Sequence, residues 1–130
     1  MDPIYQNGLE EIYPHAKRVE WDYDDGYLTA EFYDNGMEIK IWFDNNGNWL
    51  CVKTEMPFSK LPQNIKDAFT NSDYAHWRID DIDYIQIRKD PTVPDVISYY
   101  EFDVEKGEMD REFVIYPDGA IADKPYYGSF

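Results

Sequence analysis

The chain has 130 residues, of which 27 are acidic and 12 basic, so its formal net charge at pH 7 is −15. This charge repels phosphate backbones and anionic lipid, so we expect neither nucleic-acid binding nor membrane insertion. Aromatic residues make up 18% of the chain, a composition that favours β-structure and recognition surfaces.

The first half of the chain predicts a helix followed by a meander of strands. The helix spans residues 2–13, with Asp2 as its N-cap and Pro3 at its first helical position. Three Xaa-Gly pairs follow at intervals of ten or eleven residues, and such pairs favour two-residue hairpin turns: Asp25-Gly26, Asn35-Gly36 and Asn46-Gly47. Four antiparallel strands are therefore predicted across residues 18–56.

The three turns also predict the register of this meander. The turn at Asn35-Gly36 pairs Phe32 with Ile39, and the turn at Asn46-Gly47 pairs Phe43 with Leu50. The same side chains then share one apolar face: Val19, Trp21, Tyr23, Leu28, Ala30, Phe32, Ile39, Ile41, Phe43, Leu50 and Val52. Trp42 and Trp49 are predicted to lie together on the opposite face.

The second half repeats this plan. A helix is predicted over residues 59–71, then strands near 81–89, 97–104 and 111–116, with a short one after Gly119. The predicted fold is therefore α+β, with two tandem repeats that each pack a helix on a four-stranded antiparallel β-meander. Residues 1–58 would form the first repeat and residues 59–130 the second, in one compact unit.

One hairpin of the second repeat is electrostatically unfavourable. A two-residue turn at Lys106-Gly107 would set Asp103 opposite Asp110 and Glu101 opposite Glu112. Either a longer loop or a bound cation would have to relieve this repulsion.

The sequence offers no catalytic constellation. Nucleophilic catalysis needs a nucleophile with an adjacent base, and His15, His76 and the single Cys51 carry no local signature of one. The glycines serve hairpins, so no phosphate-binding loop is present. Acidic clusters at residues 22–26 and 80–83 leave calcium binding open as an alternative, but neither has EF-hand spacing. We expect no catalytic residue, no metal site and no cofactor.

Four segments resemble the PepSY-like families, also described as β-lactamase-inhibitor-protein-like: YPHAKRVEW, DNGMEIKIWFDNNGNWL, LPQNIKDAF and FVIYPDGAI. The resemblance covers about residues 9–122. It implies a small periplasmic or secreted bacterial protein whose signal peptide has been removed. It also implies that each repeat is a helical layer on a four-stranded antiparallel sheet. In the inhibitor branch of these families, a concave, aromatic-rich sheet surface grips the target enzyme.

The predicted partner-binding residues lie on the face opposite the apolar one: Trp42, Trp49, Tyr27, Tyr33, Glu31 and Lys40. Tryptophan and tyrosine dominate the energetics of protein interfaces. We therefore expect a non-catalytic binding module of the bacterial envelope whose partner is a protein, such as a cationic protein or an envelope enzyme, with inhibition of a secreted hydrolase among its candidate roles. Carbohydrate binding by ring stacking, calcium sensing and a homodimer that covers the rings stay open.

Overall fold

The computed structural model describes residues 1–126, which form two α-helices, a 3-10 turn and eight strands. In chain order the elements are α1 (Pro3–Ile12), β1 (Glu20–Asp24), β2 (Tyr27–Asp34), β3 (Met37–Phe43), β4 (Trp49–Glu55), the 3-10 turn (Phe58–Lys60), α2 (Gln63–Thr70), β5 (Arg78–Ile87), β6 (Ile97–Lys106), β7 (Met109–Ile115) and β8 (Ile121–Ala122).

Helix α1 begins where its capping signal predicts. The Asp2 side chain accepts a hydrogen bond from the Ile4 N–H at 3.0 Å, and Pro3 occupies the first helical position. Helix α2 begins later than predicted, because residues 58–60 form the 3-10 turn and Pro62 precedes the first residue of the helix.

The prediction of two tandem four-stranded repeats is wrong. The strands form one eight-stranded antiparallel sheet in which neighbours follow chain order from β1 to β8. The Arg88 N–H donates to the Leu50 carbonyl at 2.8 Å, and the Met56 N–H donates to the Ile82 carbonyl at 2.9 Å. The pairing of β4 with β5 satisfies hydrogen-bonding groups of the β4 backbone. These groups would form an open edge if the sheet ended at β4. Turn signals did not reveal this pairing, because a helical segment and not a tight turn connects β4 to β5.

The register predicted for the first hairpins is confirmed. Trp21 pairs with Ala30 across β1 and β2, and Phe32 pairs with Ile39 across β2 and β3. Asp25 and Asn35 both have positive φ, as their turns require. Strand alternation therefore sends the predicted apolar residues of β2 and β3 to one side. Two of the predicted core residues are exceptions: Tyr23 is 72% exposed near the end of the edge strand, and Leu50 is half-buried and does not belong to the core of unit 1.

Two compact units partition the chain, and each has a core of its own. Unit 1 comprises Met1–Thr54 with Gln86–Ile97, and unit 2 comprises Glu55–Ile85 with the chain from Ser98 onward. In unit 1 the buried Leu9 of α1 belongs to the same core as Ile41 and Phe43. In unit 2 the ring of Phe69 from α2 stacks on Phe102 at 5.3 Å, and Phe102 stacks on Phe113 at 5.1 Å.

A close backbone contact joins α1 to the β3–β4 loop within unit 1. A Cβ atom placed on Gly8 would lie 2.0 Å from the Gly47 carbonyl oxygen. Gly47 has a φ of 80°, and a Cβ atom there would lie 2.6 Å from the Ile4 carbonyl oxygen. Both positions therefore require glycine. Gly8 is required because no side chain fits there, and Gly47 is required for the same reason and for its positive φ.

Candidate functional site

A polar and aromatic surface lies on the side of β2 and β3 that faces away from the core of unit 1. Alternation along β2 places Tyr27, Glu31 and Tyr33 on this side, and cross-strand pairing sets Lys40 beside Glu31. Trp42 follows two residues later on β3. Tyr33 is 70% exposed and Tyr27 is 38% exposed. These five residues are termed the tyrosine face.

The centre of the tyrosine face is Lys40, which is held by two carboxylates and an indole ring in an arrangement termed the Lys40 cage. Lys40 Nζ lies 3.0 Å from Asp24 Oδ2 and 3.5 Å from Glu31 Oε1. The same ammonium lies 4.8 Å from the centroid of the Trp42 ring, within the range of a cation–π interaction. The indole is anchored as well, because its Nε1–H donates to Asp24 Oδ2 at 3.3 Å.

These contacts keep both charged groups ionised. Burial lowers the pKa of Lys40, but hydrogen bonds to Asp24 and Glu31 and their charges outweigh it, so this pKa lies above its ordinary value. The hydrogen bond and the charge of Lys40 lower the pKa of the Asp24 carboxyl. Asp24 is a functional candidate absent from the predicted partner-binding residues, because the sequence places it only in the acidic cluster at residues 22–26, a candidate for calcium binding.

The prediction that Trp49 lies beside Trp42 is wrong. A β-bulge between Trp42 and Phe43 shifts the register, so that Phe43 pairs with Trp49 and not with Leu50. Trp49 is 9% exposed and belongs to the core of unit 1. The guanidinium carbon of Arg88 lies 4.2 Å from the centroid of its ring, and Arg88 Nε donates to the Trp49 carbonyl at 3.0 Å. Trp49 is thus a packing residue.

The loop between β3 and β4 explains this error. It spans residues 44–48 and is organised by Asp44, whose Oδ1 accepts hydrogen bonds from the backbone N–H groups of Asn46 and Asn48 at 2.9 Å each. An aspartate that bonds the backbone two residues on forms an Asx-turn. The segment Asp44-Asn45-Asn46-Gly47 therefore indicates a loop that is longer than the two-residue turn favoured by the Asn46-Gly47 pair alone.

A second charged surface lies on β6 and β7 of unit 2. Lys106 pairs with Met109, so Asp103 faces Glu112 and Glu105 faces Asp110. The predicted repulsion between carboxylates is thus present, but the residues that face each other differ from those predicted. These four carboxylates are termed the acidic hairpin. Asp103, Asp110 and Glu112, with Asp80 and Arg111, line a cleft of ≈ 630 Å³.

Arg78 supplies positive charge to one end of the acidic hairpin. Its Nη2 lies 2.9 Å from Asp80 Oδ1 and also contacts Glu105. Carboxylate oxygens of Asp80, Glu105 and Asp110 lie within 4.8 Å of one another, which is close enough to hold a metal ion. Burial and the charge of Glu112 raise the pKa of Asp103. The chain's own guanidinium therefore already engages two of the three candidate ligands.

The single cysteine is buried, whereas the two histidines are exposed. Cys51 is 3% exposed, and burial raises the pKa of its thiol to about 12, so the thiol stays protonated at neutral pH. His15 and His76 are both exposed and follow α1 and α2 in loops. Among residues 1–126, no helix combines the length and the apolar character needed to span a bilayer.

Comparison with known proteins identifies the class of this fold. The family described as "Putative beta-lactamase-inhibitor-like, PepSY-like" matches residues 26–122. The match covers most of the chain, so the chain belongs to this family, as its sequence segments predicted. None of the curated proteins matches the chain.

Solved structures with the same fold come from Bacteroides. A BLIP-like protein from Bacteroides fragilis NCTC 9343 has a TM-score of 0.81 and 27% identity, covering 93% of this chain and 82% of that one. A DUF2874 family protein from Bacteroides ovatus ATCC 8483 has a TM-score of 0.78 and 25% identity, covering 91% and 82%. Another from Bacteroides uniformis ATCC 8492 has the same TM-score and identity, covering 93% and 86%.

Proposed function

We propose that this chain is a non-catalytic binding module of the bacterial envelope and that it binds a protein partner through the tyrosine face. The observation that carries the proposal is the pair of exposed tyrosines, Tyr27 and Tyr33, on the strand that also contributes Glu31 to the Lys40 cage. A sheet face that only needed to be soluble would not require exposed aromatic rings.

The anchored centre of this face favours binding. Hydrogen bonding to Asp24 and the ammonium of Lys40 hold the Trp42 ring in place before any partner arrives. Binding to a surface that is already ordered costs less side-chain entropy. Tyrosine adds large contact area with only two side-chain torsions to fix. Trp49 is left out of the proposed surface because it belongs to the core.

The family description favours inhibition as the form that this binding takes. The family is described as β-lactamase-inhibitor-like, and a solved relative at 27% identity is a BLIP-like protein. For this chain we propose inhibition of a secreted hydrolase, without assigning which one. A protonated, buried Cys51 and two exposed histidines support a role that involves no catalysis by the chain itself.

The experiment begins with the capture of a partner from a native envelope extract on the immobilised chain. The purified partner is then titrated with wild type, Tyr33→Ala and Tyr23→Ala. Tyr23 is a matched control, because it is 72% exposed but lies on the other side of the sheet. We expect Tyr33→Ala to weaken binding by about 2 kcal/mol, roughly 30-fold, as for an interface hot spot. Tyr23→Ala should bind like wild type.

Two results would contradict the proposal. Equal affinities for wild type and Tyr33→Ala would place the partner elsewhere on the chain. Capture of a glycan that depends on Tyr33, with no protein bound, would favour the carbohydrate alternative. Melting curves of both variants establish that any loss of binding reflects the surface and not unfolding.

A further inference from the structure

We infer that the partner of the tyrosine face presents arginine or lysine side chains to it. This step rests on the proposed function and adds the chemistry of the partner. Its basis is the distribution of carboxylates around Tyr27 and Tyr33, together with the way in which the chain already holds one cation of its own.

On this side of β1 to β4 the carboxylates, which include those of Glu20, Glu31 and Glu38, outnumber the two lysines, Lys40 and Lys53. Glu20 of β1 pairs directly with Glu31 of β2, and Glu38 of β3 pairs with Tyr33. Among residues 1–126, neither Glu20 nor Glu38 has a basic side chain within 4 Å. Like charges that face each other across two strands are unfavourable in the free protein. Lys40 offsets part of the charge of Glu31, so a cation of the partner would mainly neutralise Glu20.

The Lys40 cage shows which ligand chemistry this surface accommodates. Asp24 and Glu31 bind the ammonium through oxygen, and Trp42 presents its ring face to the same charge. Tyr33 and Glu38 form a similar pair of ring and carboxylate, but theirs is exposed to solvent. A guanidinium can stack on an aromatic ring while it bonds a carboxylate, so this pair suits an arginine of the partner.

The whole chain supports association with a basic surface. A net charge of −15 attracts a cationic partner over long range, which raises the association rate and makes it sensitive to salt. Long-range attraction alone does not select the tyrosine face, because the acidic hairpin of unit 2 would attract the same partner. The experiment must therefore separate local recognition from overall charge.

The probe is an octapeptide of alternating glycine and arginine, titrated into the ¹⁵N-labelled chain and followed by NMR. The same peptide with glutamate in place of arginine is the negative probe. Two charge-matched double variants of the chain are compared, E20Q/E31Q on the proposed surface and E10Q/E11Q on the exposed side of α1. Both remove two carboxylates, so they change the net charge equally.

The expected result is that amide shifts concentrate at Tyr27, Glu31 and Tyr33. E20Q/E31Q should weaken binding of the arginine peptide about fivefold or more, as for two lost exposed ion pairs. E10Q/E11Q should stay within about twofold of wild type, since its carboxylates lie on α1, away from the proposed surface. The glutamate peptide should cause no shift.

Three results would overturn the inference. The first is that the amide shifts map to Asp103 and Glu112 of the acidic hairpin. The second is that both double variants weaken binding equally. The third is that the arginine peptide does not bind. If Tyr33→Ala abolishes binding of the captured partner while the arginine peptide does not bind, the proposed function stands and only the cationic assignment fails. If the peptide binds at Tyr33 but Tyr33→Ala leaves partner affinity unchanged, the proposed function fails instead.

Discussion

Trp42 and Trp49 lie seven residues apart on adjacent strands, yet they have opposite roles. Trp42 stays on the tyrosine face, where its indole is bonded to Asp24. Trp49 enters the core because one bulge shifts the register of β4. The bulge moves Trp49 to the other side, whereas Cys51 and Val52 keep the predicted pairing. A small irregularity thus decides which aromatic ring is available to a partner.

The two tryptophans should therefore differ in their contribution to stability. Trp49→Ala removes a buried ring and should lower the free energy of unfolding by about 3–5 kcal/mol. Trp42→Ala removes a half-buried ring and a cation–π contact, and should cost roughly 1 kcal/mol. Denaturant unfolding of both variants measures the difference. Similar losses for the two would mean that both rings are buried to the same degree.

Asp103 provides a residue-level test by pH. Its folded-state pKa is raised, first by burial and then by Glu112. The folded state therefore holds the proton more tightly than the unfolded state, and stability falls as pH rises through the folded pKa. Asp103→Asn should raise the melting temperature at pH 7, and this gain should vanish as the pH approaches the ordinary carboxyl value of 3.8.

Asp90 is the matched control, because its shift has the opposite sign. Hydrogen bonds from Thr92 lower the pKa of the Asp90 carboxyl, so its stabilising contribution is present above the ordinary value and is lost as pH falls through the folded pKa. Asp90→Asn should lower the melting temperature at pH 7. The Asp103 assignment is refuted if Asp103→Asn leaves the melting temperature at pH 7 unchanged or lowers it.

At the level of elements, the contact between α1 and the β3–β4 loop sets the tightest packing constraint. Helix propensity alone predicts that Gly8→Ala would stabilise the chain by about 0.5–1 kcal/mol. The new Cβ atom would instead lie 2.0 Å from the Gly47 carbonyl oxygen, so the helix must move away from the loop. We expect a net loss of about 1–3 kcal/mol, as for an overpacked core.

Asn7→Ala serves as the control for this prediction. Asn7 is the exposed neighbour of Gly8 in the same helix, so its replacement should change stability by less than about 0.5 kcal/mol. Thermal or urea unfolding of the two variants separates helix propensity from packing. A stabilising Gly8→Ala would show that the helix does not approach the loop as closely as described.

At the scale of the whole molecule, the continuous sheet replaces the separate repeats that the sequence predicted. Its most direct test is the exchange of single backbone amides. The Arg88 N–H donates to Leu50 and the Met56 N–H donates to Ile82, so both should be protected from hydrogen exchange to a similar degree as amides within β2 and β3. If both amides exchange as fast as amides in open loops, the sheet is not continuous and the two meanders are independent.

The sequence by itself determined the local parts of this protein. Xaa-Gly pairs fix positive φ angles within a few residues, so Asp25, Asn35 and their glycines set the first hairpins and the register that follows from them. The same alternation placed Tyr27, Tyr33, Glu31, Lys40 and Trp42 on one side. Asp2 and Pro3 fixed the start of α1, and the sequence segments identified the family.

Only the tertiary structure decided what depends on distant residues. Pairing beyond β4 is set by backbone groups of Leu50 and Arg88, which no turn signal connects. The core position of Trp49 is completed by Arg88, whose guanidinium carbon lies 4.2 Å from the centroid of its ring. The Lys40 cage needs Asp24, which lies sixteen residues away in sequence and 3.0 Å away in space. Turn chemistry acts over a few residues, whereas these features arise when strands from different hairpins come into contact.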